Sequence, residues 1–150
     1  MNQTIETEIK HSTMIKAPIE QVFDAITTAE GLDKWFTNGA VVDRRSGGEI
    51  KFRWTNERGM VSGGIIEDGG PVLEVEEPNR FVFQWHPDKN TYATTVEITF
   101  QSVEKGTLVS IREYGFHDTQ AGREAFMGCA TGWGEALTLL KFYVEHGITY

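Results

Sequence analysis

Glu113 is the residue whose position asks most clearly for chemistry. In Val109-Ser110-Ile111-Arg112-Glu113 it shares period-two parity with Val109 and Ile111, so a strand through this segment aims its carboxyl group inward. A buried carboxylate must be hydrogen-bonded or protonated. Either state suits a general acid or base, or the polar anchor of a ligand. The alternative, open at this point, is that the strand frays or bulges before Gly115 and leaves Glu113 at a wet rim. His11 lies in the apolar phase Ile9, His11, Thr13, Ile15, where it reads as a core histidine or as a second catalytic candidate able to approach Glu113 across a sheet.

The other reactive side chains point to less. His86, His117 and His146 fall at expected strand or helix ends, and no pair of histidines has the spacing that puts two ligands on one helix face, so no metal site is expected. Cys129 has no histidine beside it in sequence and reads as a core thiol. Ser46-Gly47-Gly48 and Gly63-Gly64 lack the lysine and spacing of a phosphate loop, and there is no Gly-x-Ser-x-Gly elbow, so no cofactor is expected. Aromatic residues are the larger resource, with 4 Trp, 4 Tyr and 9 Phe. Phe52, Trp54, Phe83 and Trp85 fall in phase on one strand face, and Trp133 joins them from a helix. They either fill a core or wall a pocket. The expected ligand-binding set is Trp35, Phe36, Phe52, Trp54, Phe83, Trp85, Glu113, Met127, Trp133 and Leu137.

Positioning these side chains requires a recognisable series of elements. A first strand is read within Ile5 to Lys16 and ends before Pro18. Ile19, Val22, Phe23 and Ile26 follow at helical spacing, with Pro18 as the first helical residue and Glu20 at the positive end of the dipole. Thr27-Thr28-Ala29-Glu30 reads as a capping box with Thr27 accepting from the Glu30 N–H, opening a second short helix over Ala29 to Trp35. Strands are then expected around Ile50 to Trp54 and over Met60–Glu67, Val72–Glu76, Arg80–His86, Thr91–Val103 and Thr107–Phe116, with Gly69-Gly70-Pro71 as a turn. Phe126, Ala130, Trp133, Leu137, Leu140 and Val144 make a long amphipathic helix over Gln120 to His146. Gly128, Gly132 and Gly134 weaken its N-terminal half, for reasons of close packing or flexibility.

Size and composition bound the possibilities. A chain of 150 residues, 39% hydrophobic and 24% charged, is expected to form one domain over 1–150. Its net charge of -8 opposes nucleic acid as a partner. No apolar run is long enough for a membrane span. The N-terminal residues lack the charge and apolar core of a secretory signal and the single cysteine suits a reducing compartment, so a cytoplasmic location is expected.

Strand, two helices, six strands and a long helix give an α+β fold of helix-grip order, a curved antiparallel sheet of about seven strands around the C-terminal helix. Ala17-Pro18 through Ile26, Leu32-Asp33-Lys34-Trp35-Phe36, Arg45-Ser46-Gly47-Gly48-Glu49-Ile50, the run from Val72 through Glu77-Pro78-Asn79-Arg80 to Trp85, and Gly132-Trp133 resemble the family related to the activator of heat-shock protein 90 ATPase. That family is similar to the steroidogenic-acute-regulatory lipid-transfer domains and the birch-pollen allergens. The resemblance implies an apolar cavity between sheet and helix. The expected function is binding of a small apolar or amphipathic, possibly lipid-like, ligand. The alternatives are a cyclase- or dehydratase-type enzyme using Glu113 or His11 in the same pocket, and a chaperone-interaction module acting through its surface. An apolar portal also suits a homodimer patch.

Overall fold

The computed structural model describes residues 3–55 and 64–150. The chain runs β1 (Ile9–Ile15), α1 (Ile19–Thr27), α2 (Ala29–Trp35), β2 (Val41–Val42), β3 (Glu49–Thr55), β4 (Ile65–Glu76), β5 (Arg80–Trp85), β6 (Thr94–Val103), β7 (Gly106–Tyr114) and α3 (Gln120–His146). All seven strands form one antiparallel sheet in the order β1-β7-β6-β5-β4-β3-β2. The expected element order holds, and its curved sheet carries α3 on the inner face.

The two short helices form where the apolar spacing put them. Ile19, Val22, Phe23 and Ile26 are the buried stripe of α1, whose preceding residue is Pro18, one place earlier than expected. The cap of α2 also differs. Thr28, not Thr27, accepts from the Gly31 N–H at 3.0 Å, while the Thr27 hydroxyl donates back to the Phe23 carbonyl at 2.7 Å. Thr27 is still inside α1, so its side chain takes the i−4 carbonyl that an interior threonine can reach.

The largest departure lies in β4. Gly69-Gly70-Pro71 is continuous strand, not a turn, and joins what reads in sequence as two strands; Met60–Gly63 of the first lie outside the described residues. Residues 65–71 pair with β3 and residues 72–76 with β5, so the chain crosses the middle of its run from partner to partner. Glycine is required there because a Cβ on Gly69 would strike the Ile50 carbonyl, and one on Gly70 the Gln84 carbonyl. β2, a two-residue edge pair unforeseen in sequence, restores the strand count.

Cross-strand register builds the floor of the site. Val72, Phe83, Val96, Glu113 and Ile9 are successive partners in one row across β4, β5, β6, β7 and β1, and all are buried. The adjacent row on the same face pairs Trp85 with Thr94. Against this face α3 presents Trp133, Ala136, Leu137 and Leu140 at offsets of three and four.

Candidate functional site

Glu113 points inward and is fully buried. Its strand continues through Tyr114, which removes the frayed-rim alternative. The carboxylate collects three donors. Trp85 Nε1–H donates to Oε2 at 2.7 Å, the Thr94 hydroxyl to the same oxygen at 2.6 Å, and Trp133 Nε1–H to Oε1 at 2.8 Å. Trp85 and Thr94 reach it because they occupy the next row of the same face, within diagonal range; Trp133 comes down from α3. Burial raises the carboxyl group above its ordinary range, against the three hydrogen bonds, which favour the ionised form.

A second inward carboxylate, Asp68, lies opposite Phe52 on β4. It accepts from the His86 backbone N–H at 2.9 and 3.0 Å and from the Gly69 N–H at 2.7 Å, and burial raises it as well. Its charge adds to the upward push on Glu113. The half-buried Cys129 thiol, on the α3 face turned toward both acids, is pushed far upward by burial, then by their charges and by its side-chain interaction with Glu113, which favours the protonated thiol. Asp68 is the site residue that sequence reading missed. Its parity could be assigned only by carrying β4 through the glycines.

The aromatic side chains around Glu113 form one connected set of rings. Phe36 stacks on Trp35 at 5.0 Å between centroids and meets Phe52 at 5.9 Å, Trp54 at 5.4 Å and Trp133 at 6.1 Å. Phe52 reaches Phe83 at 5.4 Å and Trp85 at 5.2 Å, and Trp85 reaches Trp133 at 5.3 Å. At their centre is an apolar cavity of about 10 Å³, lined by Trp35, Phe36, Phe52, Phe83, Trp133 and Leu137 together with aliphatic side chains. That is the room of about one water, far below the few hundred Å³ of a ligand pocket.

Of the expected ligand-binding set, those six residues line the cavity, and Trp54, Trp85 and Glu113 adjoin them. Trp35 and Phe36 are buried, and the Trp35 indole N–H donates to the Ala25 carbonyl at 2.9 Å. Met127 stands apart, 60% exposed on the outer side of α3. His11 keeps the inner-face register, paired with Ile111, but it is exposed on the edge strand β1 and is not among the groups bonded to Glu113. The core-histidine reading therefore does not hold, and His11 makes no hydrogen bond to Glu113.

The glycines of α3 now have a defined setting. A Cβ on Gly128, Gly132 or Gly134 would meet nothing within 4 Å, so close packing does not require them. Each weakens the helix by about 1 kcal/mol against alanine. Over residues 120–132 only Gly122 is buried. The half of α3 that leads to Trp133 is thus intrinsically weak, and what holds it to the core is Gly122 against the His117 carbonyl and the half-buried Ala125, Phe126 and Cys129, with Phe126 edge-on to Phe116 at 5.3 Å.

The model of the activator of Hsp90 ATPase homolog 1-like family matches residues 16–145. The chain belongs to that family. The solution structure of the Aha1 dimer from Colwellia psychrerythraea is similar at 27% identity and TM-score 0.75, over 94% of this chain and 98% of that one. Protein SSP2350 from Staphylococcus saprophyticus is similar at 26% identity and TM-score 0.74, over 96% of both chains. Protein CV1439 from Chromobacterium violaceum, at 24% identity and TM-score 0.76 over 94% and 99%, shares the fold. No curated protein matches the chain in sequence. As an Aha1-like domain the chain has the helix-grip architecture, and among the described residues no helix is long and apolar enough to cross a membrane.

Proposed function

We propose that this Aha1-like chain, acting as one domain, binds a small apolar or amphipathic molecule between the sheet and α3. The observation that carries the reading is the fully buried Glu113 carboxylate, set among tryptophan rings and closed over by the weakest part of α3. A protein that needed only a core would gain from replacing a buried acid and its donors by apolar side chains of similar volume. Keeping the acid there, beside a wall of rings, provides a polar anchor for an otherwise apolar guest. The cavity of about 10 Å³ is the closed form, and entry requires the N-terminal half of α3 to move. The experiment is titration of the native protein with the apolar dye Nile red. Saturable binding at one dye per chain supports the reading, and no uptake of dye or lipid overturns it.

A second reading is favoured by one observation, the raised Glu113 carboxyl group, which suits a general acid in a cyclase- or dehydratase-type reaction. Turnover lost in Glu113→Gln is its test. A homodimer draws support from the dimer of the Colwellia relative and is tested by sedimentation. Stimulation of a chaperone ATPase by the isolated protein would favour a surface role instead.

A further inference from the structure

The two oxygens of Glu113 are held by different parts of the molecule. Oε2 accepts from Trp85 and Thr94, both carried by the sheet, whereas Oε1 accepts from Trp133, carried by α3. A movement of α3 that makes room for a guest therefore strips Oε1 of its donor and leaves Oε2 bonded. The space vacated by the Trp133 indole is bordered by the rings of Trp85, 5.3 Å away, and Phe36, 6.1 Å away. Among the described residues neither Glu113 nor Asp68 is paired with a lysine or arginine.

We infer, resting on the ligand-binding reading above, that the guest is an amphipathic cation whose ammonium group takes the place of the Trp133 N–H at Glu113 Oε1 while its apolar body lies among the rings. An ammonium group carries donors only and an ionised carboxylate acceptors only, so the two match without a wasted group. A hydrogen bond between charged partners is stronger than one from a hydroxyl. An anionic guest would meet like charge from Glu113 and Asp68. The net charge of -8 draws cations toward the protein at long range.

Calorimetric titration of the full chain with 4-phenylbutylammonium, 4-phenylbutanol and 4-phenylbutanoate tests this, because the three share one apolar body. The amine should bind about tenfold tighter than the alcohol, the difference between a charged and a neutral hydrogen bond, with the carboxylate weakest. In Glu113→Gln the amine should fall to the affinity of the alcohol. Trp133→Phe keeps a ring but deletes the competing donor, and should tighten amine binding about fivefold, an effect a merely structural tryptophan would not produce. Alcohol or carboxylate binding as tightly as amine overturns the cation inference while leaving the ligand reading in place. No binding of any of the three, with no uptake of Nile red, overturns both.

Discussion

Trp133→Phe and Glu113→Gln should be strongly non-additive in their effects on stability. The Trp133 N–H meets Glu113 Oε1 at 2.8 Å with both residues buried, so the bond is shielded from water and is charge-assisted while the carboxyl group is ionised. Removing the indole costs that bond, about 1.5–3 kcal/mol for a charged acceptor, plus roughly 1 kcal/mol for the smaller ring. Glutamine at 113 keeps one carbonyl oxygen, which serves Trp85 and Thr94, and turns its amide NH₂ toward the Trp133 N–H. That places donor against donor, at about 1–3 kcal/mol. Relief of burying a charge offsets part of the loss. In the double variant the clashing donor is gone, so the second substitution costs little beyond the ring, and the pair should be less destabilising than the sum by about 2 kcal/mol. Urea unfolding of the four proteins, followed by far-ultraviolet circular dichroism, gives the cycle. Additivity within about 0.5 kcal/mol would refute the claim that this bond closes the site.

Three further outcomes follow from the same geometry. Glu113 and Asp68 are both raised by burial, so each opposes folding when ionised; their stabilising contribution is full below the ordinary carboxylate range and is lost as pH rises through their raised values. Relative to Glu113→Gln, the parent protein should therefore gain stability as pH is lowered from 7 toward 5, measured by denaturant midpoints; an unchanged difference across that range would contradict the assignment. Gly128→Ala and Gly132→Ala should each stabilise by about 0.5–1 kcal/mol and slow Nile red entry, because the added Cβ meets open space and stiffens the part of α3 that must move, whereas Gly122→Ala, whose Cβ would strike the His117 carbonyl, should destabilise by several times that amount. Cys129 should resist iodoacetamide at pH 8 in the native protein and react promptly in urea, since burial and the neighbouring acids hold its thiol protonated.

The helices and the inward carboxylate were legible in sequence because their evidence is local. Ile19, Val22, Phe23 and Ile26 state one helical face, and Val109, Ile111 and Glu113 share a parity that the strand preserves through its last residues. β4 was not legible, since Gly69-Gly70-Pro71 has the composition of a turn and the reason for those glycines is the closeness of two other strands, Ile50 on one side and Gln84 on the other. Asp68 was hidden by the same break. His11 was misplaced for a related reason: parity gives the face of a sheet but not whether anything covers it, and on the edge strand β1 the imidazole stays exposed. The small size of the cavity also has no sequence signature, because rings that fill a core and rings that wall a pocket obey the same alternation.

The ligand claim is tested most directly by native mass spectrometry of the untagged protein purified without denaturation. A retained small molecule, released when Nile red is added in excess and reduced in Glu113→Gln, is the predicted result. A spectrum showing only the bare chain, from a protein that also takes up no apolar probe, would contradict it.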